Sequence, residues 1–170
     1  MQTFSQKITP CLWFDSQAEQ AAAFYTSIFK NSKILKTLRY GEAGYEIHGR
    51  SPGSVMTVTF EPDGQTFTAL NGGPVFQFNE AISFQVHCNS QDDIDYYWEK
   101  LTEGGDEAAQ QCGWLKDKFG VSWQIVPSAL LDMLSDSDYE KAQRATRAML
   151  QMKKFDIQQL KQAYDGNSAL

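Results

Sequence analysis

The side chains best suited to chemistry are few. There are two histidines, His48 and His87, and three cysteines, Cys11, Cys88 and Cys112. The cysteines are odd in number, widely spaced and without a C-x-x-C. That is the pattern of reduced thiols in a cytosolic protein rather than of a disulfide framework. His87 directly precedes Cys88, but neighbours on a strand point to opposite faces, so this imidazole cannot activate that thiol. His48 sits in a glycine-bearing stretch, YEIHGR, and reads as a solvated loop residue. Glu80 and Glu61 are candidates for a general base, with His87 as the other proton acceptor to weigh. Asp92, Asp93 and Asp95 open a helix, where negative charge favours the dipole. Lys116 beside Asp117 reads as a surface pair. No G-x-G-x-x-G links a strand to a helix, which argues against a nucleotide-type cradle and against methyl transfer from S-adenosylmethionine.

The elements that must position these residues come in two similar sets. Lys7–Phe14 alternates as a strand, and Pro10, lacking an N–H, leaves part of it unpaired. Ser16 and Glu19 form a capping-box pattern ahead of a helix whose face is Ala21, Phe24, Tyr25 and Ile28. Strands follow at Lys33–Tyr40 and Val55–Phe60, and Asp63-Gly64 is a hairpin turn into a strand at Gln65–Leu70. After Asn71-Gly72-Gly73-Pro74 the order restarts with a strand at Ile82–Cys88. A helix capped by Ser90 then carries Ile94, Tyr97, Trp98 and Leu101. Further strands are expected at Glu107–Gln111, Gly113–Lys116 and Ser122–Val126. Asp15-Ser16-Gln17 lines up with Asn89-Ser90-Gln91, and Gly64–Thr68 with Gly120–Gln124. The chain therefore reads as α+β, a tandem pair of βαβββ modules over residues 1–73 and 74–128 in one structural domain. Residues 129–170 form a helical tail, in which Ser137 and Asp156 are the expected caps. Tyr139, Ala142, Thr146, Met149 and Leu150 are its expected buried stripe, packed on its own domain or across a dimer.

Three strings, ITPCLWFDSQAEQAAAFYTSIF, TALNGGPVFQFNEAISFQV and CGWLKDKFGVSWQIVP, resemble the PhnB-like branch of the vicinal oxygen chelate superfamily. Many members of that branch carry the label demethylubiquinone methyltransferase. The resemblance covers about Gln6 to Val126 and extends to the tail. It implies the glyoxalase/bleomycin-resistance fold, in which the module sheets make one curved, cup-shaped surface, and it favours a homodimer.

Alternation divides the strand residues into two sets. Ile8, Leu12, Phe14, Phe67, Ala69, Ile82, Phe84, Val86, Trp123 and Ile125 are expected to pack on helices. Thr9, Cys11, Trp13, Thr66, Thr68, Ser83, Gln85, His87, Ser122 and Gln124 form the other face. It is polar yet carries no charge, which suits a cavity for a small polar or aromatic ligand; a solvated sheet face is the alternative. Trp13 would stack on the ligand, Gln85, His87 and Gln124 would hydrogen-bond it, and Cys11 and Thr68 would line the floor. Trp114 either covers the mouth or belongs to the core. The resemblance also locates the superfamily's metal-ligand positions within Lys7–Thr9 and Ala81–Ser83 and at Thr68 and Gln124. None of these supplies a histidine or carboxylate, so no metal and no cofactor is expected.

Composition sets the remaining bounds. Fifteen basic against 21 acidic residues give a net charge of −6, and no basic stripe offers a nucleic-acid footprint. No apolar run is long enough to span a membrane, and the N-terminus lacks the pattern of an export signal. The expectation is a cytoplasmic, homodimeric binder of a small molecule. The competing readings are an oxygen-chelate lyase, isomerase or dioxygenase with an altered metal site, a metal-free enzyme using Glu80 or His87 as base, and, ranked last, the methyltransferase that the family label implies.

Overall fold

The computed structural model describes residues 6–167. The chain divides between Phe78 and Asn79 into two compact units.

The first unit is a four-stranded sheet in the order β1-β4-β3-β2. Its elements are β1 (Cys11–Phe14), α1 (Ala18–Ile28), β2 (Lys33–Arg39), a short α2 (Tyr45–His48), β3 (Val55–Glu61) and β4 (Phe67–Asn71). β1 runs parallel to β4, and the other pairs are antiparallel. Period-2 alternation puts Leu12, Phe14, Val58, Phe60, Phe67 and Ala69 on one face, all buried. α1 covers that face with Ala18, Ala21, Ala22, Tyr25 and Ile28. Its alanines let helix and sheet approach closely, and Tyr25 stacks on Phe60 at 6.0 Å between centroids.

The start of α1 departs from the expected capping box. Gln17 is the N-cap and makes no side-chain cap bond. Asn71, at the end of β4, supplies the acceptor instead: its Oδ1 takes the Ala18 N–H at 2.8 Å, and its Nδ2 donates to the Val55 carbonyl at 3.0 Å. A distant side chain thus does the work the local sequence pattern offered to Ser16. Asp63 and Gly64 both have positive φ, 47° and 76°, and Gln65 N donates to Pro62 O at 3.0 Å. This is the tight turn that the Asp-Gly pair predicts.

The second unit has a three-stranded sheet in the order β5-β7-β6. It contains β5 (Phe84–Cys88), α3 (Gln91–Thr102), β6 (Trp114–Lys116) and β7 (Ser122–Pro127). Ser90 caps α3 as expected, accepting from Asp93 N at 3.1 Å. The strand expected at Glu107–Gln111 is instead a 3-10 turn, Glu107–Ala109, with Asp106 capping Ala108 at 2.9 Å. Only an isolated bridge joins Gln111 to Trp114. The segment EAAQQ has no β-branched or aromatic side chain to favour a pleated surface. Ile8 and Ile82, expected in the core, are 85% and 74% exposed, because β1 and β5 begin only at Cys11 and Phe84.

The tail belongs to this second unit. Helices α4 (Ser128–Leu134), α5 (Tyr139–Leu150) and α6 (Ile157–Asp165) enclose a cluster of Leu130, Met133, Ala145, Phe155 and Leu160. Asp138, not Ser137, caps α5, and Asp156 caps α6. The buried stripe of α5 is Ala142 and Ala145, whereas Tyr139 and Leu150 are 69% and 51% exposed. Cys112 N and Gly113 N donate to Met152 O and Lys153 O, both at 2.8 Å, so the stripe is buried within the chain's own unit. Among the described residues no helix is long and apolar enough to cross a membrane.

Candidate functional site

Each sheet has one face under a helix and one open face, and the candidate residues lie on the open faces. Strand register fixes who stands beside whom. In the first unit Cys11 pairs with Thr68, which pairs with Thr59; the next row is Trp13, Leu70 and Thr57. In the second unit Gln85 pairs with Gln124, which pairs with Trp114. His87 follows Gln85 on that face, exposed and opposite Val126. Thus Cys11, Trp13 and Thr68 form one group, and Gln85, His87, Trp114 and Gln124 another.

Trp13 is fixed on three sides. Its Nε1–H donates to the Gly73 carbonyl at 2.8 Å, and the Phe76 ring meets it edge-on at 5.0 Å. A Cβ added at Gly72 would lie 2.1 Å from the indole, so only glycine lets the ring rest there. With its N–H used, Trp13 can offer a ligand only its π face. Gly72→Ala is accordingly expected to expel the indole and cost about 1–3 kcal/mol, the usual range for overpacking. Urea denaturation would measure the loss, and a shifted tryptophan emission would report the displaced ring.

The polar row of the second unit is linked by hydrogen bonds. Gln124 Nε2 donates to Ser83 Oγ at 2.8 Å, and Gln85 Nε2 makes a long 3.5 Å contact to Gln124 Oε1. Glu80 does not stand free as a base: its carboxylate is ion-paired with Lys116. That hydrogen-bonded ammonium holds the Glu80 carboxyl below its ordinary range, which weakens it as a proton acceptor. In the first unit Glu61 is similarly engaged, by Lys33 at 3.2 Å and the Thr66 hydroxyl at 3.3 Å.

Lys116 and Asp117 are not the surface pair that adjacency suggests. Asp117 is 2% exposed and accepts from Phe119 N, Val121 N and Trp123 Nε1. It ties the β6–β7 turn to the core, while Lys116 projects onto the open face beside Trp114 and Ser122. Ser122 Oγ is buried and has no hydrogen-bond partner among the described residues. Ser83 stands on the face expected for it, and Lys116, read from the sequence as a surface residue, is the addition to that face. Alternation from Trp114 would have found it.

Cys88 and His48 are structural by their surroundings. Burial pushes Cys88 up to about 11 and raises Cys11, so neither is an activated thiolate at neutral pH. His48 Nδ1 accepts from Arg50 N at 2.9 Å, its Nε2 contacts Ala43 O at 3.2 Å, and its ring lies 4.5 Å from that of Tyr40. It organises its loop rather than standing solvated.

Two recesses lie elsewhere. One of about 230 Å³ opens at the start of α1 between Glu19, Arg50 and Asn71. Another of about 650 Å³ lies between the start of α3 and α6. Neither is lined by Cys11, Trp13, Thr68, Gln85, His87, Trp114 or Gln124, and Arg50 of the first pairs with Asp15 at 3.3 Å.

The fold class follows from these sheets: α+β, in two mixed sheets with helices at the C-terminal end, the architecture of the glyoxalase/bleomycin-resistance proteins. The chain belongs to the PhnB-like family whose model, described as 3-demethylubiquinone-9 3-methyltransferase, matches residues 6–126. The PhnB protein of Bacillus cereus is 36% identical, covering 72% of this chain and all of that one, with a TM-score of 0.61. A protein from Pseudomonas aeruginosa is 18% identical over 72% of this chain and 98% of its own, with a TM-score of 0.54. The fosfomycin resistance protein FosX of Listeria monocytogenes is 14% identical over 79% of this chain and all of its own, with a TM-score of 0.52. The last two share the fold. No curated protein matches the chain significantly.

The groups that this membership brings to mind do not fit the residues present. Of the positions that the resemblance assigns to metal ligands, Thr68 carries a neutral hydroxyl, and the Gln124 amide is hydrogen-bonded to Ser83 and lies 3.5 Å from Gln85. Such a set does not fit a catalytic divalent ion. The described residues contain no group of three His, Cys, Asp or Glu placed to hold a metal. For a methyl donor of the nucleotide type, the strand-to-helix turns Asp15-Ser16-Gln17 and Asn89-Ser90 carry no glycine, and neither sheet is doubly wound.

Proposed function

We propose that the open sheet faces bind a small organic molecule, and that a divalent ion takes no part at Thr68 or Gln124. The observation that carries this is the Gln85–Gln124–Trp114 row. Its polar groups are held in place by Ser83, and an aromatic ring lies alongside. Neutral, pre-positioned donors with an aromatic wall recognise shape and hydrogen bonding in an organic ligand. The Trp13 face, with Cys11 and Thr68, offers the same chemistry in the first unit. His87 supplies a further hydrogen-bonding group. A fold shared with fosfomycin resistance proteins supports a small ligand. Ile34, Leu35 and Leu38 of the edge strand β2 are exposed apolar side chains, and they support a homodimer as the working form.

The test is metal content by mass spectrometry after exposure to Mg, Mn, Fe, Ni and Zn, followed by a ligand screen read by tryptophan emission. The expected result is less than about a tenth of an equivalent of metal per subunit, together with ligands whose binding Gln124→Ala abolishes. Near-stoichiometric metal that Gln124→Ala removes would overturn this and make the chain an oxygen-chelate enzyme with an altered ligand set.

A further inference from the structure

Ser122 is the anomaly of the second unit. A hydroxyl at 2% residue exposure without a partner among the described residues is uncommon, since buried polar groups are nearly always hydrogen-bonded. Its position says what it can reach. Asp117 N donates to Val121 O at 2.9 Å, and Ile125 N to Gly113 O at 2.8 Å. In an antiparallel ladder the alternate pairs, Lys116 with Ser122 and Trp114 with Gln124, are then the non-hydrogen-bonded ones. In such pairs the side chains stand closest. The Lys116 side chain therefore rises directly beside Ser122, on the face that carries Gln124 and Trp114.

The Lys116 ammonium already holds a carboxylate. Glu80 reaches it from the segment ahead of β5, with 59% of its own side chain exposed against 23% for the lysine. The loosely held partner is the acid, and the better-held one is the cation. We propose that Lys116 and Ser122 form the anchor for a ligand carboxylate, with Glu80 as a built-in competitor that the ligand displaces. The lysine pairs with one oxygen, Ser122 donates its idle hydroxyl to the other, and Trp114 lies against the body of the molecule. One ammonium matches a monoanion better than a phosphate dianion, and Glu80 shows that a carboxylate can reach this ammonium. This rests on the small-molecule reading above and adds its class: a carboxylic acid with an apolar or aromatic body.

The experiment is an NMR titration of the full chain with benzoate and with benzamide, its uncharged counterpart, following the Trp114 indole N–H. Benzoate is expected to bind about tenfold more tightly than benzamide, the value of one charge-assisted contact. Glu80→Gln removes the competitor and should tighten benzoate severalfold. Lys116→Met should erase the preference for the acid. Ser122→Ala should weaken benzoate while leaving the melting temperature equal or higher, because it deletes an unpartnered hydroxyl. A Glu80→Gln chain that binds benzoate no better, or a preference that survives Lys116→Met, overturns the anchor. Equal binding of both compounds overturns the anchor but leaves small-molecule binding standing. If neither these compounds nor any member of a neutral panel binds, the small-molecule reading itself falls.

Discussion

Asp117→Ala is expected to destabilise the chain by about 3–5 kcal/mol, because it leaves several buried donors without an acceptor at about 1–3 kcal/mol each, less what water recovers. One oxygen accepts from Phe119 N at 2.8 Å and Val121 N at 3.1 Å, and the other from Trp123 Nε1 at 2.8 Å. The first two bonds shape the turn between β6 and β7; the third pins the turn to a tryptophan that is 4% exposed. Asp117→Asn keeps the volume and one acceptor oxygen but turns an amide N–H₂ towards a donor, so it should recover only part of the loss. Urea denaturation measures both, with a fall in midpoint and little change in slope as the sign of lost stability rather than an altered unfolded state. Trp114, Lys116, Ser122 and Gln124 all hang from this hairpin. Ligand binding should therefore weaken in Asp117→Asn even under conditions where the chain stays folded.

How far the sequence discloses such a site depends on the range of the interaction. Alternation is local and survives folding: Leu12, Phe14, Phe67, Ala69, Val86, Trp123 and Ile125 are all buried, and their neighbours Gln85 and Gln124 stand on the opposite face. Caps are local only when their partner is local. Ser90 and Asp156 meet their own first turns, but α1 is capped from Asn71, which no window around Ser16 contains. Charge pairing misleads for the same reason. Lys116 and Asp117 are adjacent in the chain, yet on a strand adjacency means opposite faces. The lysine finds Glu80 and the aspartate goes inside. Applying to Lys116 the rule that separates His87 from Cys88 places it correctly. Nothing local shows that Ser122 lacks a partner, since that depends on every neighbour at once.

The family name and the residues carry different information. A chain that matches the family over residues 6–126 shares its fold, while chemistry is set by the side chains at particular positions. At Thr68 and Gln124 this chain presents a neutral hydroxyl and an internally hydrogen-bonded amide. The cation on the open face of the second unit is held by Glu80. Under the carboxylate proposal, an acid that binds Lys116 must outcompete the exposed Glu80, which sets a modest affinity threshold.

The tail yields the other large effect. Phe155→Ala is expected to cost about 3–5 kcal/mol, the range for emptying a buried aromatic site. The ring is 3% exposed and rests on Gly113, where an added Cβ would lie 2.4 Å from it and 2.8 Å from the Ile125 carbonyl. Gly113 also has φ of +79°, so Gly113→Ala should be severe on two counts, steric and conformational. The two changes share one contact and will not add: with the ring gone, alanine at 113 should cost measurably less than in the wild-type chain. Limited proteolysis gives an independent readout, because an undocked tail exposes the α5–α6 connection. Acid should produce the same cleavage. Asp95 is held below its ordinary value of 3.8 by the Lys154 hydrogen bond, and Asp136 by that of Tyr164. Groups with depressed folded pKa contribute above 3.8 and lose that contribution as pH falls through the folded value. Tyr164 is raised above 10 by Asp136, so its contribution persists until the pH exceeds 10. Protection of the tail should weaken as pH falls below 3.8 through the depressed folded values, and Lys154→Ala should remove the Asp95 share of that acid dependence. If the acid dependence is unchanged in that variant, the Asp95–Lys154 pair has no part in docking, and the apolar cluster with the Met152 and Lys153 backbone bonds holds the tail without it.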